Sequence, residues 1–380
     1  MSYRFSVYRQ VSELPPEWDQ QMRPDYPMHS RELSIQEMAD LDHLEYYYVI
    51  TYENDQPVMY SYYQHLHVTP EHFNCKDKIF QHYSLNISLR IVKPSLLVVG
   101  NLFRHDAPYT YFIDHSLSIK KKADIYIKAY EYMLDHAKAT GIFLKDVQKE
   151  IAPYVQSDNT YHQLQDDVSM YFNVPPEWKS MADYEKILKH KYLQRYKKIG
   201  KQLDGIVVQE LNTEDIIKHA DAIESLYLQV TNKQLVSMGK LKKSFFILLK
   251  KQLGERYKVF GWFLDGSMVA FSSAILHDGY YDMNYIGFDY AINQSHAIYL
   301  NILFHCMQQA IATQSKRLVV GRTALEAKAI LGCEPEYMFG FYKLRHVLVN
   351  WFFKRVSAGF RDQIGEKWKE RHPFKSSYYQ

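Results

Sequence analysis

The sequence of 380 residues contains only three cysteines, Cys75, Cys306 and Cys333. They form no Cys-x-x-Cys pair, and their odd number suits reduced thiols rather than a disulfide framework or a zinc motif. No segment approaches the roughly 20 consecutive apolar residues of a membrane-spanning helix. The first residues, Met1 to Val7, also lack the apolar core of a signal peptide. We therefore expect a soluble, cytoplasmic protein.

Common catalytic motifs are also absent. The sequence has no Gly-x-Ser-x-Gly elbow and no phosphate-binding glycine loop, which disfavours hydrolase and nucleotide-dependent classes. His29, His43, His65 and His67 form no helix-spaced metal pair, so we expect no metal cofactor. The net charge of +3 is too small to make nucleic acid a general partner, and DNA binding is not expected.

Three pairs of similar segments occur in the same order in the two halves of the chain, which indicates a tandem duplication. The pairs are the Pro-Pro-Glu-Trp sequences starting at Pro15 and Pro175, the hairpin-like segments starting at Val49 and Val259, and the Ile-Tyr-x10-Ala-x-Ala-Thr patterns starting at Ile125 and Ile298. Each Ile-Tyr pattern is followed by a short apolar run, so each half is predicted to contain a hairpin, a helix and a strand. Repeated units of this kind predict a mixed α/β fold.

The repeat divides the chain into a first unit at 1–170, a second unit at 171–345 and a C-terminal helical tail at 346–380. The polar segment 153–172 is the best candidate for the link between the units. Further strands are expected within 79–92. In the tail, the apolar run starting at Val347 lies between basic residues, and this pattern fits either a docked helix or an interfacial membrane helix.

The helix predicted at 183–203 is the most basic element. Lys191, Arg195 and Lys198 follow i, i+4, i+7 spacing and share one face, which would suit a phosphate or a carboxylate. The alternative is an ordinary solvated surface with acidic residues near the N-terminus of the helix.

A second candidate site follows the buried strand that ends at Val320. Thr323 and Glu326 have capping-box spacing, so a helix is expected to start at Thr323, with Arg322 and Lys328 flanking its N-terminus. The corresponding strand exit in the first half carries Lys145 and Asp146. A capped helix with ordinary surface charges is the alternative.

The third candidate is the strand at 281–289. Asp282 and Asn284 lie within it and Asp289 at its exit, and a buried carboxylate requires a partner. Asp289 is a candidate general base or amine ligand, or it caps the following turn. The next helix is expected to start at Ser295, with backbone N–H groups free for an anion.

The second half resembles the acyl-CoA N-acyltransferase (GNAT) superfamily, in particular the large branch that includes the Fem-type aminoacyl transferases. The resemblance lies in Trp178-Lys-Ser, Lys191 to Lys198, Leu264 to Ala270, Tyr285 to Asp289 and Gly321 to Lys328, and it continues more weakly at Val99-Gly-Asn101 and Phe143 to Asp146. It implies two tandem GNAT-like units that form a pseudo-dimer of mixed α/β sheets.

The resemblance also implies a transferase in which an acyl thioester lies between two splayed parallel strands and an amine attacks its carbonyl. The glycine-rich pyrophosphate loop of acetyltransferases is replaced by Asn293 to Ile298. The donor therefore stays open between acyl-CoA, a carrier-protein thioester and aminoacyl-tRNA, and the acceptor between a small-molecule and a lipid amine. The candidate catalytic residues are Asp289, Asp282, Asn284 and Tyr299, and the candidate binding residues are Lys191, Arg195, Arg322, Thr323, Lys328, Ser295, Lys145 and Asp146.

Two other functions fit the same sequence. One is a non-catalytic tandem-GNAT module that binds a polyanion such as tRNA. The other is a lipid-amine acyltransferase peripheral to the inner face of the membrane. Because the two strand exits differ, we expect the second copy to hold the chemistry and the first to shape the acceptor groove.

Overall fold

The computed structural model describes residues 2–39, 41, 44–72, 93–104, 109–164, 167–233, 239–346 and 368–378. The chain divides into two compact units. The first comprises Met1–Asp167, Leu235–Gly239 and Tyr337–Gly365, and the second Val168–Gln234, Lys240–Glu336 and Glu366–Gln380. Among the described residues, no helix has the length and apolarity that crossing a membrane requires.

The elements before residue 167 belong to the first unit. They are β1 (Tyr3–Tyr8), α1 (Glu17–Gln20), α2 (Ser30–Met38), β2 (Leu44–Glu53), β3 (Gln56–His67), β4 (Ser95–Val99), β5 (Thr110–Phe112), α3 (Ile119–His136), β6 (Gly141–Val147), α4 (Ala152–Ser157) and β7 (His162–Gln163).

The remaining elements are β8 (Asp167–Asn173), α5 (Met181–Ile187), α6 (His190–Lys201), β9 (Ile206–Glu210), α7 (Thr213–Lys218), α8 (Ala220–Thr231), α9 (Lys243–Leu253), β10 (Tyr257–Leu264), β11 (Ser267–His277), β12 (Tyr280–Phe288), α10 (Tyr290–His296), α11 (Ile298–Ala312), β13 (Arg317–Gly321), α12 (Leu325–Ile330) and β14 (Glu334–Leu344).

The two units have sheets of the same strand order. It is β1-β2-β3-β4-β6-β14 in the first and β9-β10-β11-β12-β13-β8 in the second, with β5 against β3 and β7 against β14. In each sheet one central pair is parallel, β4 with β6 and β12 with β13. The matched order confirms the mixed α/β fold with a duplicated unit that the sequence predicts.

The paired tryptophans give an independent sign of the duplication. Trp18 and Trp178 are both buried, and each donates its backbone N–H to the carbonyl of the proline three residues earlier, at 3.0 and 3.1 Å. The same tetrapeptide thus forms the same turn in both units.

The core of the first unit lies on both faces of its sheet. Tyr47 and Val49 of β2 pack into the cluster that contains α3, whereas Tyr48 and Ile50 pack into the cluster around Trp18. The alternation follows from the two-residue period of a strand, which sends successive side chains to opposite faces. Many of the 33 tyrosines are therefore structural.

In the second unit, α11 packs across the parallel strands. Its buried Ile298, Ile302 and Met307 belong to one cluster with Tyr281 of β12 and Leu318 of β13. This packing fixes the position of the loop between β12 and α11 relative to the ends of both strands.

Several sequence-based boundaries differ from the structure. The segment 153–172 is not an irregular link, because most of it forms α4, β7 and β8. The predicted helix 183–203 is broken between α5 and α6, since Leu188 adopts an extended conformation and forms a β-bridge with Phe374. The end of β14, from Tyr337, belongs to the first unit rather than the second.

Two further expectations lie outside the described residues. These are the strands within 79–92 and the apolar helix that starts at Val347. The described C-terminal segment, 368–378, contains only a short 3-10 helix at Ser376–Tyr378 and packs into the second unit through Phe374, which is 2% exposed.

Candidate functional site

The parallel strands β12 and β13 separate before β12 ends. Tyr280, Tyr281 and Asp282 pair with Arg317, Leu318 and Val319, and β12 then continues to Phe288 with no further β13 partner in the continuously described range 280–321. The edge of β12 that faces β13 therefore carries backbone groups without a ladder partner. An extended ligand can bind such an edge as an added strand.

A β-bulge lies in the part of β12 that leaves β13. Ala274 pairs with Met283, and the next pair joins Ser272 to Ile286, so β12 advances three residues while β11 advances two. The Ser273 hydroxyl holds the bulge, because it donates to the Tyr285 carbonyl at 3.0 Å and accepts the Tyr285 N–H at 3.1 Å. Bulges bend strands and redirect side chains, which explains the separation of β12 from β13.

Asn284 and Asp282 lie at the start of this gap. Asn284 is in the bulge and partly exposed. Asp282 is in the last paired position and is 3% exposed, with its carboxylate 3.5 Å from Nε2 of His277. His277 is therefore the partner that a buried carboxylate needs.

Asp289 caps a helix at the exit of β12. Its carboxylate accepts the Ala291 N–H at 2.8 Å and forms the N-cap of α10. Of the two interpretations that the sequence leaves open, the structure shows the cap. This hydrogen bond occupies one carboxylate oxygen and fixes the side chain at the mouth of the gap.

Ser295 does not start a helix, so that prediction is wrong. It lies in the last turn of α10, where its hydroxyl donates to the Ile292 carbonyl at 3.1 Å. Helix α10 ends before Ala297, which has a left-handed φ of 46°, and α11 starts at Ile298.

Backbone groups at the N-terminus of α11 already form hydrogen bonds within the protein. The Tyr299 N–H donates to Oδ1 of Asn293 at 2.8 Å, and Nδ2 of Asn301 donates to the Ala297 carbonyl at 3.2 Å. The same amide donates to the Ile199 carbonyl of α6 at 3.1 Å. Helix α6 therefore lies directly beside the loop that leaves β12.

The basic residues of α6 are available to solvent. Lys191, Arg195 and Lys198 are all exposed, whereas Ile199 on another face of the helix is buried. Arg195 also acts electrostatically on Glu326 of α12: the hydrogen bond from Arg371 lowers the pKa of Glu326, and Arg195 adds to the effect. The structure thus brings the basic helix next to the helix that follows β13.

The prediction for the start of that following helix is wrong. Helix α12 begins at Leu325 and its N-cap is Ala324, which has a left-handed φ of 54°, so Thr323 is exposed and caps nothing. Lys328 does not flank the strand exit on the surface, because it is 2% exposed. Arg322 is half-buried at the exit itself.

The first unit carries a smaller version of this strand exit. The β4–β6 ladder continues to Val99 and Leu144, the last residue of β4 and its partner, so β4 has no free edge toward β6. Beyond the ladder Lys145 and Asp146 form a buried ion pair, with side chains 9% and 7% exposed, and Lys145 also donates to the Arg104 carbonyl at 3.0 Å. The adjoining pocket has a volume of only about 40 Å³.

Comparisons with known proteins concern the fold of the chain. The sequence matches no protein-family model and no curated protein. The crystal structure of FemX is similar with a TM-score of 0.53 at 9% identity, covering 94% of this chain and 99% of that one. A tandem GNAT protein from the clavulanic acid biosynthesis pathway is similar with a TM-score of 0.51 at 10% identity, covering 90% and 98%.

The chain has a tandem GNAT fold. The similarity extends over nearly the full length of both solved structures, and the identities are so low that it concerns the fold alone. The sequence-based prediction of two GNAT-like units, related in fold to the Fem-type transferases, is confirmed.

The segment Asn293 to Ile298 forms the end of α10 and the start of α11, and the Asn293 side chain accepts the Tyr299 N–H.

A second cavity of the GNAT-like second unit was not indicated by the sequence. It has a volume of about 440 Å³ and lies between α6, α11 and the strands β9 and β10, where Tyr196, Trp262 and His305 contribute to its wall. Its residues come from several separate segments and share no motif, so no local sequence pattern indicates it.

Proposed function

We propose that the chain is an N-acyltransferase that moves an acyl or aminoacyl group from an activated carrier to an amine and forms an amide. The observation that carries the proposal is the gap between β12 and β13 in the second unit, with the bulge at 284–285 at its start. A free strand edge supplies backbone N–H groups for the acyl carbonyl, which is how electrostatic stabilisation of an oxyanion works.

The proposed donor is aminoacyl-tRNA. Two observations support it: the Tyr299 N–H, next to the segment that replaces the glycine-rich pyrophosphate loop of acetyltransferases, is already bonded to Asn293, and α6 presents Lys191, Arg195 and Lys198 to solvent beside that segment. Exposed basic side chains on one helix face suit the phosphates of RNA. The acceptor is proposed as an amine of a small molecule or of a lipid.

In the proposed reaction, the neutral amine attacks the carbonyl carbon of the aminoacyl ester. The new C–N bond forms and the C–O bond to the ribose breaks, while a proton passes from the amine through Asp282 to the leaving oxygen. Asp282 is suited to this role because it is buried at the start of the gap beside His277. Transfer to and from a positioned carboxylate contributes about 10²–10⁴-fold in rate.

The experiment compares two triple variants. In the first, Lys191, Arg195 and Lys198 become alanine; in the control, Lys218, Lys240 and Lys251, which are exposed lysines of the same unit, become alanine. Both remove three positive charges. We expect the first variant to weaken binding of aminoacyl-tRNA. We also expect the slope of log K against log[salt] to become less negative by about 2–3, because each lost phosphate contact removes roughly 0.7–0.9 from its magnitude.

The free energy of unfolding of both variants should lie within about 1.5 kcal/mol of wild type, since each of the three exposed substitutions rarely changes stability by more than about 0.5 kcal/mol. Equal binding and equal salt slopes for the two triple variants would contradict the RNA donor. Tight RNA binding that never leads to an amide with any amine would instead favour a non-catalytic binding module.

A further inference from the structure

Three side chains of the kinds that bind metal ions lie close together on the β2–β3 hairpin of the first unit. Glu45 of β2 and His65 of β3 occupy directly opposite positions, and His67 follows two residues later on the same face. Nε2 of His67 lies 3.2 Å from Oε1 of Glu45, and Nδ1 of His65 lies 3.6 Å from Oε2. One ligand atom from each of the three residues lies within 4.8 Å of the other two.

His65 is the residue that most needs a partner. It is 5% exposed, and neither Nδ1 nor Nε2 has a hydrogen bond within the described part of the chain. Buried polar groups nearly always have a partner, and an imidazole nitrogen without one is a ready metal ligand.

Arg9 holds the Glu45 carboxylate in place. Arg9 donates to Oε2 of Glu45 at 2.8 Å and to the Tyr47 hydroxyl at 2.8 Å, while its guanidinium stacks on the Tyr47 ring. Oε1 therefore faces His67. Hydrogen bonds that orient a ligating carboxylate in this way are typical of metal sites.

We propose that Glu45, His65 and His67 bind a divalent zinc-like ion. Two imidazole nitrogens and one carboxylate oxygen are ligands that Zn²⁺ accepts in tetrahedral sites, with water in the fourth position. The side chains of His67 and Glu45 are 48% and 40% exposed, so the fourth position is open to solvent.

The site lies at the opposite end of β4 from the strand exit of the same unit. His67 is the last residue of β3 and pairs with Ser95, the first residue of β4, whereas the strand exit of this unit follows Val99. The ion would therefore tie the start of β2 to the end of β3.

The test uses the untagged full-length protein, freed of metal by a chelator and titrated with ZnCl₂ by calorimetry. His67→Ala and Glu45→Gln change partly exposed residues that lie outside the largest core clusters, and His65→Ala removes the buried ligand. His115→Ala is the matched control, because His115 is an exposed histidine of the same unit. Cobalt substitution provides a second readout, since tetrahedral Co²⁺ has characteristic visible absorption.

We expect one Zn²⁺ per wild-type chain, unchanged binding in His115→Ala, and at least about tenfold weaker binding in His67→Ala and Glu45→Gln. Zinc should also raise the melting temperature of wild type and of His115→Ala but not of His67→Ala. The proposal is overturned if wild type binds no zinc, or if all variants bind it equally. Folding failure of His65→Ala alone does not affect this outcome, because the other two variants decide it.

Discussion

At the scale of single residues, His305 has an environment that links protonation to folding. It lines the cavity under α11, and burial lowers its pKa to about 4. The histidine pKa in an unfolded chain is near 6.5. The unfolded chain therefore binds more protons between these values, and the stability contribution is fully present above pH ~6.5 and is lost as the pH falls toward 4.

His305→Gln should remove this pH dependence. The free energy of unfolding of wild type should fall by up to about 3 kcal/mol more than that of the variant between pH 7 and pH 4. Urea unfolding at several pH values measures the difference, with His190→Gln, an exposed substitution in the same unit, as the control. Parallel pH profiles for wild type and His305→Gln would contradict the assignment.

Residue-level expectations from the sequence were least reliable where backbone conformation decides. Thr323 and Glu326 have capping-box spacing, but the left-handed Ala324 starts the helix two residues later. The sequence predicts Lys328 as a charge that flanks the strand exit. In the structure Lys328 lies on the buried side of α12. The Glu45–His65–His67 cluster was missed because its ligands come from two strands, and cross-strand register is not visible in sequence spacing.

At the scale of elements, the C-terminal segment 368–378 is part of the second unit's structure. The Lys189 N–H donates to the Pro373 carbonyl and the Lys375 N–H to the Ile187 carbonyl, both at 2.8 Å. Phe374 packs against Gly332, where an added Cβ would come within 2.1 Å of the ring and the φ of +93° already disfavours a side chain.

A double-mutant cycle tests this packing. Gly332→Ala should destabilise the unit by a clash with Phe374 as well as by backbone strain, and Phe374→Ala by about 3–5 kcal/mol through loss of a buried ring. The double variant should be more stable than the sum predicts, since removing the ring removes the clash. Additive free energies of unfolding would show that the two residues do not meet.

The order of helices and strands could be predicted because hydrophobic periodicity is a local signal, and because the second half repeats the patterns of the first. It identified the β2–β3 and β10–β11 hairpins, the strand exits at Lys145 and Arg322 and the basic face at Lys191. The bulge at 284–285 could not be predicted, because it exists only as a mismatch in register between β12 and β11. The assignment of β14 from Tyr337 to the first unit depends likewise on long-range pairing.

At the scale of the whole molecule, two units of one fold have diverged at corresponding strand exits. In the second unit β12 leaves β13 after Asp282, whereas in the first the β4–β6 ladder continues to the end of β4 at Val99. The free strand edge is thus a property of the second unit. This asymmetry supports the proposal that the second copy holds the chemistry.

The central claim is amide formation in the gap of the second unit, and single-turnover transfer tests it most directly. Purified full-length protein is mixed with aminoacyl-tRNA, or with acyl-CoA, and with a panel of small-molecule amines and aminolipid vesicles, and the amide product is measured by mass spectrometry. We predict an amide product whose rate falls about 10²–10⁴-fold in Asp282→Asn, with the melting temperature little changed because the side chains have the same shape. Amide formed equally fast by Asp282→Asn, or no amide from any donor including acyl-CoA, would contradict the account.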